Sequence, residues 1–440
     1  MPEITIKNAR ILSMAPDQNE PFEGDVFVKN GLIQTIGSSL PPVGKVIDAS
    51  GLLLMPGFVQ SHIHLCQTLF RNMSEDLELL DWLRRKIWPF EAAHSEGSLR
   101  ASARLGLAEL ISGGTTAILD MGTVRMPDIL FEEAKRAGIR ANIGKTLMDK
   151  GEGVPDALVQ NARESLNDGL RLLNRWRGAG NGRLDFNFAP RFALSCSEDA
   201  LREAAEISAD RKIIIHTHSS ENQKELREVQ AITGKRNLEF YDSIGLNRYH
   251  LSVAHCIWLD DSEMDILART NTHVLHCPSS NLKLGSGIAK IPEMLERNIR
   301  VSLGADGAPC NNNLDIFQEM RLAGLIQKPR RGVESLPARE IVKMATVGGA
   351  RALGLEGEIG SIEIGKKADL ILLNLDRIHS FPAADVFTTL VYSARATDVQ
   401  TVIIDGEVVM DNRELLTLDQ QETLALAKLE LHKLMTRVKI

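Results

Sequence analysis

Four side chains of the kinds that bind metal ions follow short runs of β-branched residues: His62, His64, His218 and Asp306. His62 and His64 are two residues apart, and such residues on a strand project to the same face, so both can reach one ion. Three imidazoles and a carboxylate suit one divalent ion, with Zn²⁺ as the first choice and Fe²⁺ as the alternative. Such an ion lowers the pKa of a bound water towards about 7 and supplies hydroxide for hydrolysis.

Each of these four residues also has an ordinary structural explanation. A single His at a strand end is more often hydrogen-bonded in the core than bound to metal, and a His-x-His pair alone is a weak signal. Asp306 follows Leu303-Gly304-Ala305 and could simply cap the next helix. The combination is more informative, because all four residues fall at the ends of predicted strands that would meet at one rim.

The middle of the chain alternates between short β-branched runs and segments of helical period. Eight such units predict a (β/α)8 TIM barrel over residues 57–365, and barrel enzymes hold their active sites at the C-terminal strand ends. The predicted strands are Phe58–His64, Thr115–Asp120, Ile139–Gly144, Asp185–Pro190, Ile213–His218, Leu251–His255, Thr272–His276 and Arg300–Asp306. The predicted helices include Ser98–Ser112, Met126–Ala137, Ser197–Ala209, Asn222–Thr233, Leu259–Arg269 and, at the C-terminus, Asp419–Arg437.

Both ends of the chain contain strand patterns of a different kind. Near the N-terminus, Asn30-Gly31 separates two apolar alternating runs and predicts a hairpin. Near the C-terminus, Ala368–Leu373 and Thr401–Met410 also alternate. We therefore predict one small, discontinuous β-sandwich domain, which residues 1–56 and 366–440 build together.

The composition is that of a large globular protein and narrows the class of its partners. The 440 residues are 43% hydrophobic and 25% charged, with a formal net charge of −7. This mild acidity argues against nucleic acid or an anionic membrane as the main partner, because both require a clustered basic surface. No apolar run approaches the roughly 18 residues of a membrane-spanning helix, and no signal peptide is readable. The five scattered cysteines form no Cys-x-x-Cys pair, which predicts reduced thiols and a cytoplasmic location.

Several motifs together resemble the amidohydrolase superfamily over nearly the whole chain. They are Pro56–His64 (PGFVQSHIH), Ser112–Thr116 (SGGTT), His216–Glu221 (HTHSSE), Ala254–Cys256 (AHC), Leu303–Gly307 (LGADG) and Gly360–Leu370 (GSIEIGKKADL). The similarity is closest to the deaminase branch, which includes methylthioadenosine/S-adenosylhomocysteine, 5′-deoxyadenosine and guanine deaminases and the s-triazine hydrolases. It implies a single metal held by His62, His64, His218 and Asp306. Two-metal relatives carry a carboxylated Lys at the end of strand four, where this chain has Arg191, and that difference supports one metal.

The resemblance also implies how such a site would work in a metal-dependent aminohydrolase. Hydroxide at the metal would attack the ring carbon that bears the amine. Glu221 would carry protons, first to a ring nitrogen and later to the leaving ammonia, which requires a carboxylate poised near neutral pH. His255 would orient the attacking water without binding the metal, and Asp306 would both bind the metal and accept the water's proton. Considered alone, Glu221 could be an ordinary carboxylate at a helix start.

The residues that would contact the substrate give mixed indications. Trp88 and Glu91 lie in a segment similar to the loop in which nucleoside deaminases use a Glu to bind the ribose hydroxyls. Gln67 and Arg191 instead resemble guanine deaminases, since an Arg and a Gln can donate to carbonyl and ring-nitrogen acceptors. Arg191 could also be a structural ion pair, and Gln67 a backbone cap. With His255, these four form the predicted substrate-binding set.

The first choice of reaction is deamination of an adenine-type nucleoside without a carboxylate tail, such as 5′-deoxyadenosine or methylthioadenosine. Guanine or another oxopurine is second, and an s-triazine that loses an amine or chloride is third. Cyclic-amide hydrolysis is usually two-metal chemistry and is disfavoured. A non-catalytic scaffold barrel would be expected to lose its ligands, yet every one is present here. The predicted partner is therefore a small heterocycle, and the resemblance implies a homodimer or homotetramer.

Overall fold

The chain folds into a parallel barrel and a second sheet built from both of its ends. The computed structural model describes residues 3–18 and 20–438, so the outermost residues of the predicted terminal segments lie outside the described part. In chain order the strands are β1 (Ile4–Ile11), β2 (Phe22–Lys29), β3 (Leu32–Gly37), β4 (Lys45–Asp48), β5 (Leu53–Pro56), β6 (Phe58–Ile63), β7 (Thr115–Thr123), β8 (Arg140–Leu147), β9 (Leu184–Pro190), β10 (Ile214–Ser219), β11 (Leu251–His255), β12 (His273–His276), β13 (Arg300–Leu303), β14 (Leu370–Leu373), β15 (Val399–Ile404), β16 (Glu407–Asp411) and β17 (Glu414–Leu415).

Helices connect the barrel strands and cover their outer face. The α-helices are Leu79–Trp82, Trp88–Ala92, Glu96–Ser112, Asp128–Ala137, Ala162–Trp176, Ala179–Gly182, Glu198–Arg211, Gln223–Thr233, Asn237–Ser243, Asp261–Thr270, Pro278–Lys283, Ile291–Glu296, Ala308–Asn311, Ile316–Arg331, Ala338–Lys343, Gly349–Ala352, Val386–Tyr392 and Gln420–Arg437. Short 3₁₀ helices occur at Leu65–Phe70, Asp156–Leu158, Ala193–Ser195 and Ala396–Asp398, and π-helical turns at Leu83–Ile87 and Met344–Gly348. Among the described residues, we find no helix with the length and apolar character needed to cross a membrane.

The strands β6 to β13 form the barrel and confirm the predicted (β/α)8 architecture. They are hydrogen-bonded in sequence order, each parallel to the next. A parallel bridge between Ile63 and Asp306 joins the first strand to the last and closes the ring. The last predicted strand is too long, because β13 ends at Leu303 and Asp306 has a left-handed backbone with φ 60°.

The second sheet contains nine strands from the two chain ends, which confirms that both termini build one β unit. Its order is β17-β16-β15-β14-β5-β1-β2-β3, with β4 beside β1. Asn30 and Gly31, with φ 54° and 77°, form the predicted turn between β2 and β3. The N-terminal part meets the C-terminal part where β5 pairs with β14, with Leu54 opposite Leu372.

A buried ion pair joins the barrel to the terminal sheet. Arg140, the first residue of β8, donates from Nε and Nη2 to the two carboxylate oxygens of Asp369 at 2.7 and 3.0 Å. Asp369 Oδ1 also accepts from the backbone N–H of Asp405 at 2.8 Å. Both charged groups are almost fully buried and are satisfied by each other, as a buried ion pair requires. The pair fixes the sheet against the N-terminal end of the barrel strand and leaves the opposite rim free.

Candidate active site

The predicted ligands and catalytic residues lie together at the C-terminal rim of the barrel. His62 lies on β6 with His64 just beyond it, and His218 lies on β10. His255 is the last residue of β11, and Asp306 follows β13. Parallel strands in a barrel bring their C-terminal ends to one rim, which is how residues far apart in sequence meet here.

The four predicted metal ligands turn their polar atoms towards one point. Asp306 Oδ1 lies 3.3 Å from the Nε2 atoms of both His62 and His64. The ligand atoms of His62, His64 and His218 all lie within 4.8 Å of one another. The ligand atoms of a second group, formed by His62, His255 and Asp306, also lie within this distance of one another. Such spacing is what several donors around one divalent ion require.

Neighbouring groups hold two of the imidazoles by the ring nitrogen that faces away from this point. His62 Nδ1 lies 2.7 Å from Nε2 of His216, which is also on β10. His218 Nδ1 donates to the backbone carbonyl of Arg191 at 2.6 Å. The buried Nε2 atom of His62 has no hydrogen-bond partner among the described residues. Ligating imidazoles are held in this way by their second nitrogen, so the donor set fits a divalent metal ion.

Burial keeps these imidazoles in the form that binds metal. It lowers the pKa of His62, and it lowers the pKa values of His64 and His218 well below the usual range. The charge of Asp306 opposes the effect without cancelling it. The rings are therefore neutral at physiological pH, with a lone pair available for a cation.

Glu221 and His255 lie side by side next to the ligand cluster. His255 Nε2 is 3.3 Å from Glu221 Oε2 and 3.9 Å from Asp306 Oδ2. Burial, reinforced by the negative charge of Asp306, raises the pKa of Glu221 well above its ordinary value. A carboxyl group with a raised pKa can hold a proton near neutral pH and release it to a substrate.

Strained backbone conformations occur at this rim. Ser220, His255 and Asp306 have φ values of 53°, 71° and 60°, in the left-handed region that residues other than glycine seldom adopt. Such conformations cost of the order of 1–3 kcal/mol each and persist only where the surrounding structure imposes them. These conformations occur where the regular strands end. They turn the Glu221 loop, His255 and Asp306 towards the inside of the barrel.

A cavity opens beside the ligands. Its polar lining includes the predicted residues Gln67 and Arg191. Its apolar wall consists of Leu79, Trp82, Leu83, Phe192 and Leu284. Trp88 and Glu91, both predicted to bind substrate, are not among the described lining residues, and Trp88 packs in an apolar cluster instead.

Glu91 nevertheless contacts two residues that line the cavity. Its carboxylate accepts from Arg191 Nη1 at 2.6 Å and from Gln67 Nε2 at 2.8 Å. Gln67 Nε2 also lies 3.4 Å from His64 Nδ1, while Gln67 Oε1 is buried without a partner in the described chain. Burial opposes the charge on Arg191, but Glu91 outweighs that effect and raises its pKa. No sequence pattern predicts the pairing of Arg191 with Glu91, which are 100 residues apart.

Two further buried residues of the barrel strands, Lys145 and His276, lie outside the ligand cluster. Lys145 is buried at the end of β8 and donates to Gln160 Oε1 at 2.6 Å, and burial lowers its pKa to about 8. His276 is fully buried on β12, and its ring nitrogens have no hydrogen-bond partner among the described residues. Neither residue belongs to the cluster of metal-binding groups.

Glu225, which is not among the predicted site residues, fixes the loop that carries Glu221. Its Oε2 atom accepts from the backbone N–H groups of Glu221 and Asn222 at 2.9 and 3.4 Å. Its Oε1 atom accepts from the amide of Asn237. The Asn222-x-x-Glu225 spacing is a capping box, a local signal that could have identified this residue.

The variant Glu225→Gln is expected to gain stability relative to the native chain as the pH rises. Burial raises the pKa of Glu225 from 4.5 to about 7. A carboxyl whose pKa is higher in the folded state contributes full stability below pH 4.5 and loses it as the pH rises through 7. The amide has no charge to lose, so the difference in free energy of unfolding should grow by up to about 3 kcal/mol over this range.

Urea denaturation of both proteins at pH 5 and pH 8 measures this difference. The new amide keeps its hydrogen bonds if Asn237 turns its side chain over, because Asn237 Oδ1 is buried without a partner in the described chain. Glu225→Ala is the matched control, since it removes the capping acceptor along with the charge. The expectation would be contradicted if the difference in free energy of unfolding between the native chain and Glu225→Gln did not change with pH.

Comparison with known proteins finds similarity along the whole chain. The sequence pattern of the amidohydrolase family matches residues 53–409. A 5′-deoxyadenosine deaminase from Methanosarcina acetivorans is 36% identical over 444 aligned positions, which cover 99% of each chain. The structure of an adenosine deaminase from Xanthomonas campestris with bound zinc has a TM-score of 0.92 and 29% identity, and it covers 98% of each chain. A guanine deaminase from C. acetobutylicum with bound guanine has a TM-score of 0.82 and 25% identity, and it covers 92% of this chain and 99% of that one.

Proposed function

The chain belongs to the amidohydrolase family, and from this premise we propose that it removes the amino group of an adenine-type nucleoside by hydrolysis. 5′-Deoxyadenosine is the first candidate substrate and methylthioadenosine the second. The observation that carries the proposal is the full-length similarity to a 5′-deoxyadenosine deaminase, on a chain whose ligand and acid–base side chains are all in place. Water replaces ammonia in this reaction, so one C–O bond forms and one C–N bond breaks.

We propose that His62, His64, His218 and Asp306 hold one divalent ion, and that the ion is zinc. The adenosine deaminase with a similar fold contains zinc, and three imidazoles with a carboxylate suit it. When bound, the ion lowers the pKa of a water molecule and so supplies hydroxide at neutral pH. Metal analysis of the purified protein by mass spectrometry would separate zinc from iron.

The protonated carboxyl of Glu221 is proposed to give its proton to a ring nitrogen of the purine. That proton makes the neighbouring carbon electrophilic. The Glu221 carboxylate then takes up the hydroxyl proton of the newly bonded oxygen and passes it to the departing ammonia as the carbonyl forms, and the proton held by Asp306 finally restores the Glu221 carboxyl. His255, 3.3 Å from Glu221, holds the attacking water by its Nε2 atom. Asp306 Oδ2, which lies on the His255 side of the carboxylate, accepts the proton that this water releases.

The residues that line the cavity support a nucleoside without a charged 5′ group. Leu79, Trp82, Leu83 and Leu284 provide an apolar wall that matches a 5′-methyl or methylthio group. Arg191 lies at the polar end and can donate to a ring nitrogen of the purine. Glu91, held next to it, is the carboxylate proposed to accept from the ribose hydroxyls.

Guanine is the second candidate, and the arrangement of Gln67 with Arg191 favours it. Gln67 provides an unpaired acceptor, Oε1, and Arg191 provides donors within the same polar end of the cavity. An acceptor next to donors matches the edge of an oxopurine. A guanine deaminase of similar fold, at 25% identity, agrees with this alternative.

A screen for ammonia release by the zinc-loaded protein tests the proposed function. The panel contains 5′-deoxyadenosine, methylthioadenosine, S-adenosylhomocysteine, adenosine, guanine, 8-oxoguanine, cytosine and melamine. We expect the highest kcat/KM for 5′-deoxyadenosine, with methylthioadenosine next. Turnover of guanine but of no nucleoside would replace the first candidate by the second, and absence of turnover across the panel would refute both.

The variant Arg191→Ala is expected to destabilise the protein by about 3 kcal/mol, because it leaves the buried carboxylate of Glu91 without its cation. Substrate binding should weaken as well, so KM should rise. Urea denaturation and steady-state kinetics measure the two effects.

The double variant Arg191→Ala with Glu91→Gln is the control for Arg191→Ala. It should recover most of the lost stability, since no charge is then left unpaired. It should not recover KM, because both substrate contacts are gone. Full stability in the single variant would mean that the pair is not buried in solution.

A further inference from the structure

Two adjacent polar residues of one short helix each contact a different group of the active site. The helix Pro278–Lys283 follows β12 directly, and its residues Ser280 and Asn281 are almost completely buried. Neither side chain is among the described residues that line the cavity. Their hydrogen bonds are directed to Asp306 and to His255.

Ser280 determines how the carboxylate of Asp306 is turned. Its hydroxyl donates to Oδ2 at 2.6 Å. The other oxygen, Oδ1, accepts from the backbone N–H of Gly307 at 2.7 Å and faces His62 and His64 at 3.3 Å. The two contacts together keep Oδ1 on the side of the predicted ligands and Oδ2 on the side of His255.

Asn281 determines which nitrogen of His255 carries the proton. Its side-chain carbonyl Oδ1 lies 2.8 Å from His255 Nδ1. A carbonyl oxygen only accepts, so Nδ1 carries the hydrogen and Nε2 keeps its lone pair. Nε2 is the atom that lies 3.3 Å from Glu221 and 3.9 Å from Asp306 Oδ2.

The helix is anchored from the side away from the cavity. The buried carboxylate of Glu319 accepts from the backbone N–H and hydroxyl of Ser279, and from Asn311 Nδ2 at 2.9 Å. The backbone carbonyl of Asn281 accepts from Ser286 N–H at 2.9 Å. Because these hydrogen bonds hold the helix in place, its side chains can position another group to within a fraction of an ångström.

We propose that Ser280 and Asn281 are paired positioning residues, which together orient Asp306 and fix the tautomer of His255. This inference rests on the proposed function, because it assigns the reacting roles to Asp306 and His255. The two side chains act through different partners and therefore differ in their effects. Ser280 acts through a metal ligand, whereas Asn281 acts through a residue that is not a ligand.

Zinc affinity and steady-state kinetics of the full-length variants test the proposal. Ser280→Ala should weaken zinc binding about 10-fold and lower kcat for 5′-deoxyadenosine by about 10- to 100-fold. Asn281→Ala should lower kcat by about 100-fold and leave zinc affinity unchanged. KM should change less than about threefold in both, since neither side chain lines the cavity. Asn281→Asp keeps the accepting oxygen and should restore kcat to within about 10-fold of the native value.

Ser279→Ala is the matched control, because it removes a hydroxyl from the same helix without touching the site. It should lose some stability yet keep native kcat and zinc affinity. Equal losses in Ser279→Ala and Ser280→Ala would overturn the proposal and indicate displacement of the whole helix. Native kcat in Asn281→Ala, or equal losses in Asn281→Ala and Asn281→Asp, would also overturn it. If the native protein released ammonia from none of the panel, the proposed function would fail, while zinc titration would still decide the role of Ser280.

Discussion

Glu221→Gln is expected to lower kcat for deamination by about 10³-fold while the bound metal stays in place. The amide has nearly the same shape as the carboxyl, so the cavity and the contact with His255 should persist. An amide cannot take up and release a proton near neutral pH, so it can neither protonate the ring nor assist the departing ammonia. KM should change little, because the loss falls on the reacting step.

Mass-spectrometric metal analysis and steady-state kinetics on one preparation measure this effect. Glu225→Gln is the matched control, since it is the same change at a buried glutamate four residues further along the chain. Its kcat should stay within about tenfold of the native value, because the Glu225 carboxylate accepts from Asn237 and from the backbone of the Glu221 loop and is hydrogen-bonded to none of the predicted ligands. Retained metal with native turnover in Glu221→Gln would refute the proposed role of Glu221.

His218→Ala is expected to lower both metal content and kcat, the latter by about 10³-fold or more. His218 is the one member of the donor set that comes from β10, on the far side of the barrel from β6 and β13. Without it, the three remaining donors all come from one side of the ring, so the ion loses the only contact from the opposite side among these four residues and should bind more weakly. Prior removal of metal from the native protein by a chelator should produce a similar loss, which added zinc reverses.

His276→Ala is the control for His218→Ala. His276 is also a buried histidine of the barrel, but it lies outside the cluster of metal-binding groups. The variant should lose stability through the space it creates and yet keep its metal. Equal metal loss in the two variants would mean that the barrel, and not the ligand, had been disturbed.

The sequence predicts that the four proposed ligands lie together, and the structure shows them together, for a physical reason. His62 and His64 are ligand-type residues two apart on a strand, and strand periodicity alone puts them on one face. The positions of His218 and Asp306 follow once the β-branched runs are read as barrel strands, since the fold itself brings strand ends together. The predicted end of β13 lies three residues beyond the observed end at Leu303, because the left-handed backbone at Asp306 leaves no trace in residue type.

The residues that surround the ligands are less predictable. Trp88 is among the predicted substrate-binding residues, but Trp82 lines the cavity, and a π-helical turn at Leu83–Ile87 lies between the two. Such a turn adds a residue and rotates everything after it by about 100°, so the facing side cannot be read from helical period. The contacts of Arg191 with Glu91 and of Asn281 with His255 join distant segments. No rule of sequence spacing predicts contacts between such distant residues. The role of Glu225, in contrast, follows from the capping-box spacing with Asn222.

The pairing of β5 with β14 has a consequence for how the chain is made. The two strands are separated by about 300 residues, because the whole barrel lies between them, and the N-terminal strands emerge from the ribosome first. Until β14 is synthesised, β5 keeps an unpaired edge, which is a site for mispairing with other chains. Closing so long a loop is slow, so we expect the terminal sheet to form last, on a barrel that has already folded. Biogenesis of this protein therefore depends on protecting one early strand throughout nearly all of translation.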